Sequence, residues 1–166
     1  MRHTLAVLVQ NKAGVLARVA GLFSRRGFNI ESISVGTTEM PGISRMTLVA
    51  QGDDDQMEQL TKQLHKLIDV LKISDITHDQ AVERELALIK VNAEPSSRAE
   101  VLQVVDIFRG KVVDVGDRSV IVEVTGDTEK VEAMIQLMRP YGIKELVRTG
   151  TVSMVRGTRS MGQAAD

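Results

Sequence analysis

The sequence predicts an α+β protein made of two tandem βαββαβ units. Short runs rich in branched apolar residues alternate with stretches whose apolar residues recur at helical spacing. The order strand, helix, strand, strand, helix, strand read over residues 1–78 recurs over residues 85–156. Between the elements fall residues that start and stop structure, with Asp and Ser before helices and Gly or Pro after them.

In the first unit, Arg2–Gln10 reads as a strand buried by its continuous run Leu5-Ala6-Val7-Leu8-Val9. A helix follows over Gly14–Arg26, with Val15, Leu16, Val19, Leu22 and Phe23 on one face, and Gly27 ends it as a left-handed cap. A second strand runs over Asn29–Thr37, and Met40-Pro41-Gly42 turns the chain into a third over Ser44–Gln51. Asp53, Asp54 or Asp55 caps a helix with the stripe Met57, Leu60, Leu64 and Leu67, and Val70–Thr77 is the fourth strand. The polar stretch 79–84 is read as a linker.

The second unit repeats the pattern. Glu85–Ala93 is a strand, Ser96 or Ser97 caps a helix carrying Val101, Leu102, Val105 and Phe108, and Gly110 closes it. Lys111–Val115 and Ser119–Val124 pair around Gly116-Asp117. Asp127 or Thr128 opens a helix with Val131, Ile135 and Met138, ended by Pro140 or Gly142, and the last strands lie within Lys144–Val155. Residues 157–166 are small, polar and aperiodic, and are read as a disordered tail. Two such units form a duplicated ferredoxin-like architecture. Each packs two helices on one sheet face and leaves the other face, or a sheet edge, to find a partner.

Composition narrows the function classes. Hydrophobic residues make up 43% but aromatics only 2%, so the cores are aliphatic. There is no cysteine, which excludes disulfides and thiolate metal sites. The net charge is −1, with nine basic and nine acidic residues in 1–80, so no basic field attracts nucleic acid. The third and seventh strands carry no aromatic residue for base stacking. No run approaches the roughly 20 apolar residues of a membrane span, and Arg2-His3 leads straight into a strand rather than a signal segment. A cytoplasmic location is expected.

Catalytic constellations are scarce. His3, His65 and His78 lack metal-ligand spacing, and Asp53-Asp54-Asp55 is better explained by helix capping than by a cation. Ferredoxin-like acylphosphatases cradle phosphate with an Arg and an Asn, but Arg18 sits a full turn inside its helix, which disfavours that role for Arg18 and Asn29.

The loop Asn11–Leu16 is the stronger candidate. At a helix start the N–H groups of Gly14, Val15 and Leu16 lack intrahelical acceptors, and a glycine there admits a carboxylate or phosphate. An α-ammonium would find acceptors in the side-chain oxygens of Asn11 and Asn29. An aliphatic side chain would lie among Val15, Leu16, Ile30 and Ile33. Asn29 opens the second strand and is read as pointing to the same end of the sheet. A small branched amino acid fits the combination; the plainer alternative is a glycine that serves only a tight turn.

The segment Gly21-Leu22-Phe23-Ser24-Arg25-Arg26-Gly27-Phe28-Asn29-Ile30-Glu31-Ser32 closely resembles the regulatory small subunit of acetolactate synthase. The likeness continues through Ser44-Arg45-Met46-Thr47, Gln63–Leu67, Val82–Leu86 and Ile107–Gly110. It implies an N-terminal ACT domain, the amino-acid-sensing form of the ferredoxin-like module, followed by a related domain. It also implies a homodimer through the ACT domains, with valine between them and leucine or isoleucine as substitutes in some members. Carried over by position, Asn11, Gly14, Val15 and Leu16 of one subunit face Asn29 and Ile30 of the other. The chain is then expected to be non-catalytic, with neither metal nor cofactor of its own. Thiamine diphosphate, Mg and FAD are expected in the catalytic large subunit, which this chain would activate and subject to feedback inhibition in branched-chain amino acid biosynthesis. At Ala17 the family commonly has serine, so one hydroxyl beside the loop is absent.

Overall fold

The computed structural model describes residues 1–161, which form two compact units: Met1–Val82 together with the C-terminal residues from Thr151, and Glu83–Gly150. The first unit contains β1 (Arg2–Gln10), α1 (Val15–Arg25), β2 (Asn29–Thr37), β3 (Ile43–Gln51), α2 (Asp54–His65) and β4 (Val70–Asp75). Its sheet has the order β2-β3-β1-β4, and every neighbouring pair is antiparallel.

Strand alternation divides β1 between two environments. Leu5, Val7 and Val9 join Met46, Leu48 and Ala50 of β3 under Val15, Val19 and Phe23 of α1 and Met57, Leu60 and Leu64 of α2. Thr4, Ala6 and Leu8 point to the helix-free face and are also buried. The chain's last described segment lies against that face. The Thr151 N–H donates to Ser32 Oγ at 2.9 Å, and Arg45 donates to the Ser153 carbonyl at 2.6 Å.

The second unit holds most of β5 (Ala81–Asn92), then α3 (Arg98–Ile107), β6 (Lys111–Val115), β7 (Ser119–Gly126), α4 (Thr128–Met138) and β8 (Ile143–Arg148). Its order, β6-β7-β5-β8, repeats that of the first sheet, and β9 (Val152–Val155) pairs with β5. Ala87, Ile89 and Val91 meet Val120, Val122 and Val124 beneath Val105, Met134 and Ile135. The fold is thus the expected pair of βαββαβ units. Among the described residues no helix is long and apolar enough to cross a membrane.

Local chemistry explains the boundaries. Asp53 caps α2 by accepting from the Gln56 N–H at 2.7 Å, and the Gln56 side chain accepts from the Asp53 N–H, a capping box. Asp127 caps α4 by accepting from the Lys130 N–H at 2.8 Å. Pro41 and Gly42 (φ 75°) occupy the centre of a turn closed by Ile43 N–H to Met40 O, a type II pattern. Helix α1 ends in a Schellman motif: Gly27 is left-handed, and the Phe28 N–H reaches Phe23 O.

At several places the structure adds to or differs from the reading of the sequence. After α3 the left-handed residue is Arg109 (φ 53°), and Gly110, read as closing the helix, follows it with its N–H donating to the Val105 carbonyl at 2.8 Å. Gly110 is required for closeness, because a Cβ there would stand 2.9 Å from the Glu123 carbonyl oxygen. Ser97 precedes α3 but makes no capping bond; its hydroxyl donates to the Glu94 carbonyl. The stretch read as a linker over 79–84 contains the start of β5 at Ala81. Residues 151–156 group with the first unit, whereas the sequence places them in a second domain over 85–156. Of the tail read over 157–166, Gly157–Met161 line a cavity of the first unit, and residues 162–166 lie outside the described residues.

Candidate functional site

The end of β1 delivers an exposed loop, residues 11–14, directly into α1. The loop is pinned from below, since the Asn11 N–H donates to the Gly42 carbonyl and the Gln10 N–H to the Asp69 carbonyl, both at 2.9 Å. Gly14 is the N-cap of α1 with φ 84°, a left-handed conformation that L side chains rarely adopt. No side chain caps this helix, and its first turn holds no acidic residue. Helices α2 and α4, by contrast, both start under an aspartate. The Val15 N–H donates to the Lys12 carbonyl at 3.4 Å, and the remaining N–H groups of the first turn of α1 form an uncapped, positively polarised rim.

Arg18, weighed from the sequence only as part of a phosphate cradle and set aside there, is a neighbour of this rim. The Arg18 guanidinium folds back over Gly14, so close that a Cβ on Gly14 would lie 3.0 Å from its Nη1. Arg18 pairs with the buried Asp69 at 2.5 Å, which fixes the cation beside the loop. The signal was present in the spacing, because Arg18 stands four residues after Gly14 and thus one turn along the same helix face.

Each expected site residue takes a definite place. Asn11 and Gly14 are exposed in the loop, and Leu16 is 48% exposed on α1. Val15, at 2% exposure, belongs to the core of its own unit, so only its backbone faces the rim. Ile30 is partly buried and packs on the same core. Asn29 is exposed at the first residue of β2.

The register corrects the reading of Asn29. It pairs with Gln51, which pairs with Arg2 at the start of β1, whereas the Gly14 loop follows Gln10 at the far end. Eight steps along β1 span about 27 Å. Within one chain, then, Asn29 and the loop lie at opposite ends of the sheet. The physical reason is the helical crossover: α1 carries the chain back along β1, so β2 must begin where β1 began.

The histidines do not form a site. His3 is buried with its ring nitrogens 3.4 Å from Asp54 and 3.7 Å from Asp75. Among the described residues no group of three or more His, Cys, Asp or Glu gathers to hold a metal ion.

Comparison with known proteins places these features in a family. Residues 5–72 match the model of the AHAS small subunit-like ACT domain, and residues 84–157 that of the small subunit of acetolactate synthase. The probable acetolactate synthase small subunit of Archaeoglobus fulgidus is 62% identical, over 96% of this chain and 99% of that protein. The chain belongs to the acetolactate synthase small-subunit family. The acetolactate synthase small subunit of Mycolicibacterium smegmatis is 53% identical over 98% of this chain and 95% of its own. The crystal structure of the small subunit from Thermotoga maritima superposes with a TM-score of 0.87 at 45% identity, covering 96% of this chain and 99% of that one. In acetolactate synthase small-subunit terms, the Gly14 rim and the β2 edge both belong to the ACT domain. The β9 segment falls inside the second family match yet groups with the first unit.

Proposed function

We propose that this chain is the regulatory subunit of acetolactate synthase and that its ACT domains bind valine between two copies. The observation that carries the reading is the separation of Asn29 from the Gly14 loop along the sheet, combined with the open edge of β2. Strand β2 is the outer strand of its sheet, largely exposed, with Val35 47% exposed. An edge strand presents unpaired backbone groups that a second copy can satisfy. Antiparallel pairing of two β2 edges about a two-fold axis brings the Asn29 end of one copy to the Gly14 end of the other. Two such sites form per dimer.

Within each site the roles follow from chemistry. The N–H groups at the start of α1 receive the effector's carboxylate, with the helix dipole and Arg18 adding positive potential. Asn11 of the same subunit, together with Asn29 of the partner subunit, supplies oxygens to the α-ammonium. The half-exposed Leu16 offers apolar contact to a short branched side chain. Effector binding shifts the dimer only as far as it favours one arrangement over another, so the pocket must change shape when the copies move.

The chain has no catalytic role in this reading. Thiamine diphosphate, Mg and FAD are expected in the separate catalytic large subunit, whose activity the chain raises and places under feedback inhibition. The deciding experiment mixes purified chain with a catalytic subunit and measures acetolactate formation with and without valine. Stimulation by the chain and loss of that stimulation with valine support the reading. Association that leaves the rate unchanged in both conditions would reject it.

A further inference from the structure

We propose that the helix-free face of the first unit's sheet holds a second ligand site, for a small organic oxyanion with a compact apolar portion. Its location is a cavity of about 430 Å³ between that face and the C-terminal segment, within the range of small-molecule sites. Every wall residue belongs to the first unit.

Strand register builds the floor. Leu8 lies directly opposite Arg45 on one side and Lys72 on the other, so the three side chains share one row across the sheet. With strands about 4.8 Å apart, the two cations are anchored about 10 Å from each other with a leucine between. The next row places Ala6 opposite Ser74, adding a small residue and a hydroxyl. Beyond Arg45 the row ends at Gly36, where a Cβ would meet nothing within 4 Å. The floor is thus a cationic pair around an apolar centre, with room left beside it.

The roof comes from the end of the chain. Met154 and Met161 add apolar surface, and Thr158 and Ser160 add hydroxyls. Arg159 also reaches the cavity, while pairing with Asp79. Among the described residues, Glu39 is the one carboxylate on a wall that carries Arg45, Lys72 and Arg159. Arg45 is half-buried and donates to the Ser153 carbonyl, an uncharged acceptor, and among the described residues it forms no ion pair. Burial pulls its pKa below the usual arginine value, opposed by Glu39. A carboxylate or phosphate between Arg45 and Lys72 would offset that unfavourable burial with charge-assisted hydrogen bonds. The apolar portion of the ligand would rest against Leu8, Ile76 and the two methionines.

This site shares no residue with the Asn11–Leu16 rim and is independent of the valine reading. Calorimetric titration of the full chain with inorganic phosphate, ADP and 4-methyl-2-oxopentanoate tests it. Saturable binding of phosphate or ADP assigns a phosphate ligand, and binding of the oxoacid alone assigns a carboxylate; either supports the proposal. Arg45→Gln and, separately, Lys72→Gln should each weaken binding about tenfold or more, and Gly14→Asp should leave it unchanged. Arg159→Gln, at an exposed position, should weaken it less. The proposal is overturned if none of the three anions binds at millimolar concentration. It is equally overturned if binding persists unchanged in both Arg45→Gln and Lys72→Gln proteins that keep the wild-type melting temperature.

Discussion

Two defective copies of this chain should complement each other if the valine site is split between subunits. Gly14→Asp sets a carboxylate where the effector's own carboxylate belongs. At about 4 Å and an effective dielectric constant of about 20, the repulsion is about 4 kcal/mol, close to a thousandfold in affinity. The same change forces a side chain into a backbone with φ 84°, at a cost of about 1–2 kcal/mol in stability. Gly14→Ala carries that strain without the charge and is the control for it. Asn29→Ala removes an exposed polar group at the other end of the sheet, about 1 kcal/mol or more of binding if it holds the ammonium. In a heterodimer of Gly14→Asp with Asn29→Ala, one site carries both defects and the other carries neither. Co-expression with two affinity tags isolates that species, and calorimetry should find one wild-type-like valine site per dimer, where each mutant homodimer is impaired. Failure of the heterodimer to regain any tight site would refute the shared pocket. Wild-type valine inhibition by a folded Gly14→Asp homodimer would refute the loop itself.

Other consequences concern the frame around the site. Arg148 bridges the buried Glu85 at 2.5 Å and the exposed Glu132 at 3.1 Å. Arg148→Met should destabilise the second unit by about 3 kcal/mol in urea denaturation, because it strands a carboxylate, while Glu85→Met with Arg148→Met should cost less. The Glu132 carboxyl is held below the usual glutamate range by Gln136 first and Arg148 second. Its contribution is therefore complete above the ordinary value of 4.5 and fades as pH falls through the lower folded value. It is an exposed group, so Glu132→Gln should flatten that acid limb only slightly. Arg109→Gly should raise the melting temperature or leave it unchanged, since it relieves a left-handed arginine. Gly110→Ala should lower the melting temperature, because its Cβ would press on the Glu123 carbonyl. A drop on Arg109→Gly would show that the arginine side chain contributes more than its backbone costs.

Much of the molecule is legible along the chain because its determinants are local. The stripe Met57, Leu60 and Leu64 together with Asp53 and Gln56 specifies α2 and its start, whatever surrounds it. The same holds for Gly27 at the end of α1 and for Pro41-Gly42 in the turn before β3. The order of such elements in each half is enough to state the βαββαβ fold, and the Asn11–Leu16 loop stands out because nothing nearby in sequence caps the helix it opens.

What the sequence left open depends on which distant residues are brought together. Asn29 is read at the wrong end of the sheet, since a strand's direction is fixed by the helix that precedes it and by its pairing, which no residue in Asn29–Thr37 encodes. The Arg18–Asp69 pair joins positions on separate elements that only packing makes neighbours. Residues Gly157–Met161 have no periodicity, yet backbone and side-chain bonds from Thr151, Ser153 and Arg156 lead them over the first sheet. Short-range preferences act through neighbours a turn or two away and can be read in order. Strand register, the burial of both faces of β1 and the cavity beside Leu8 arise from contacts across the chain, and only the folded structure decides them.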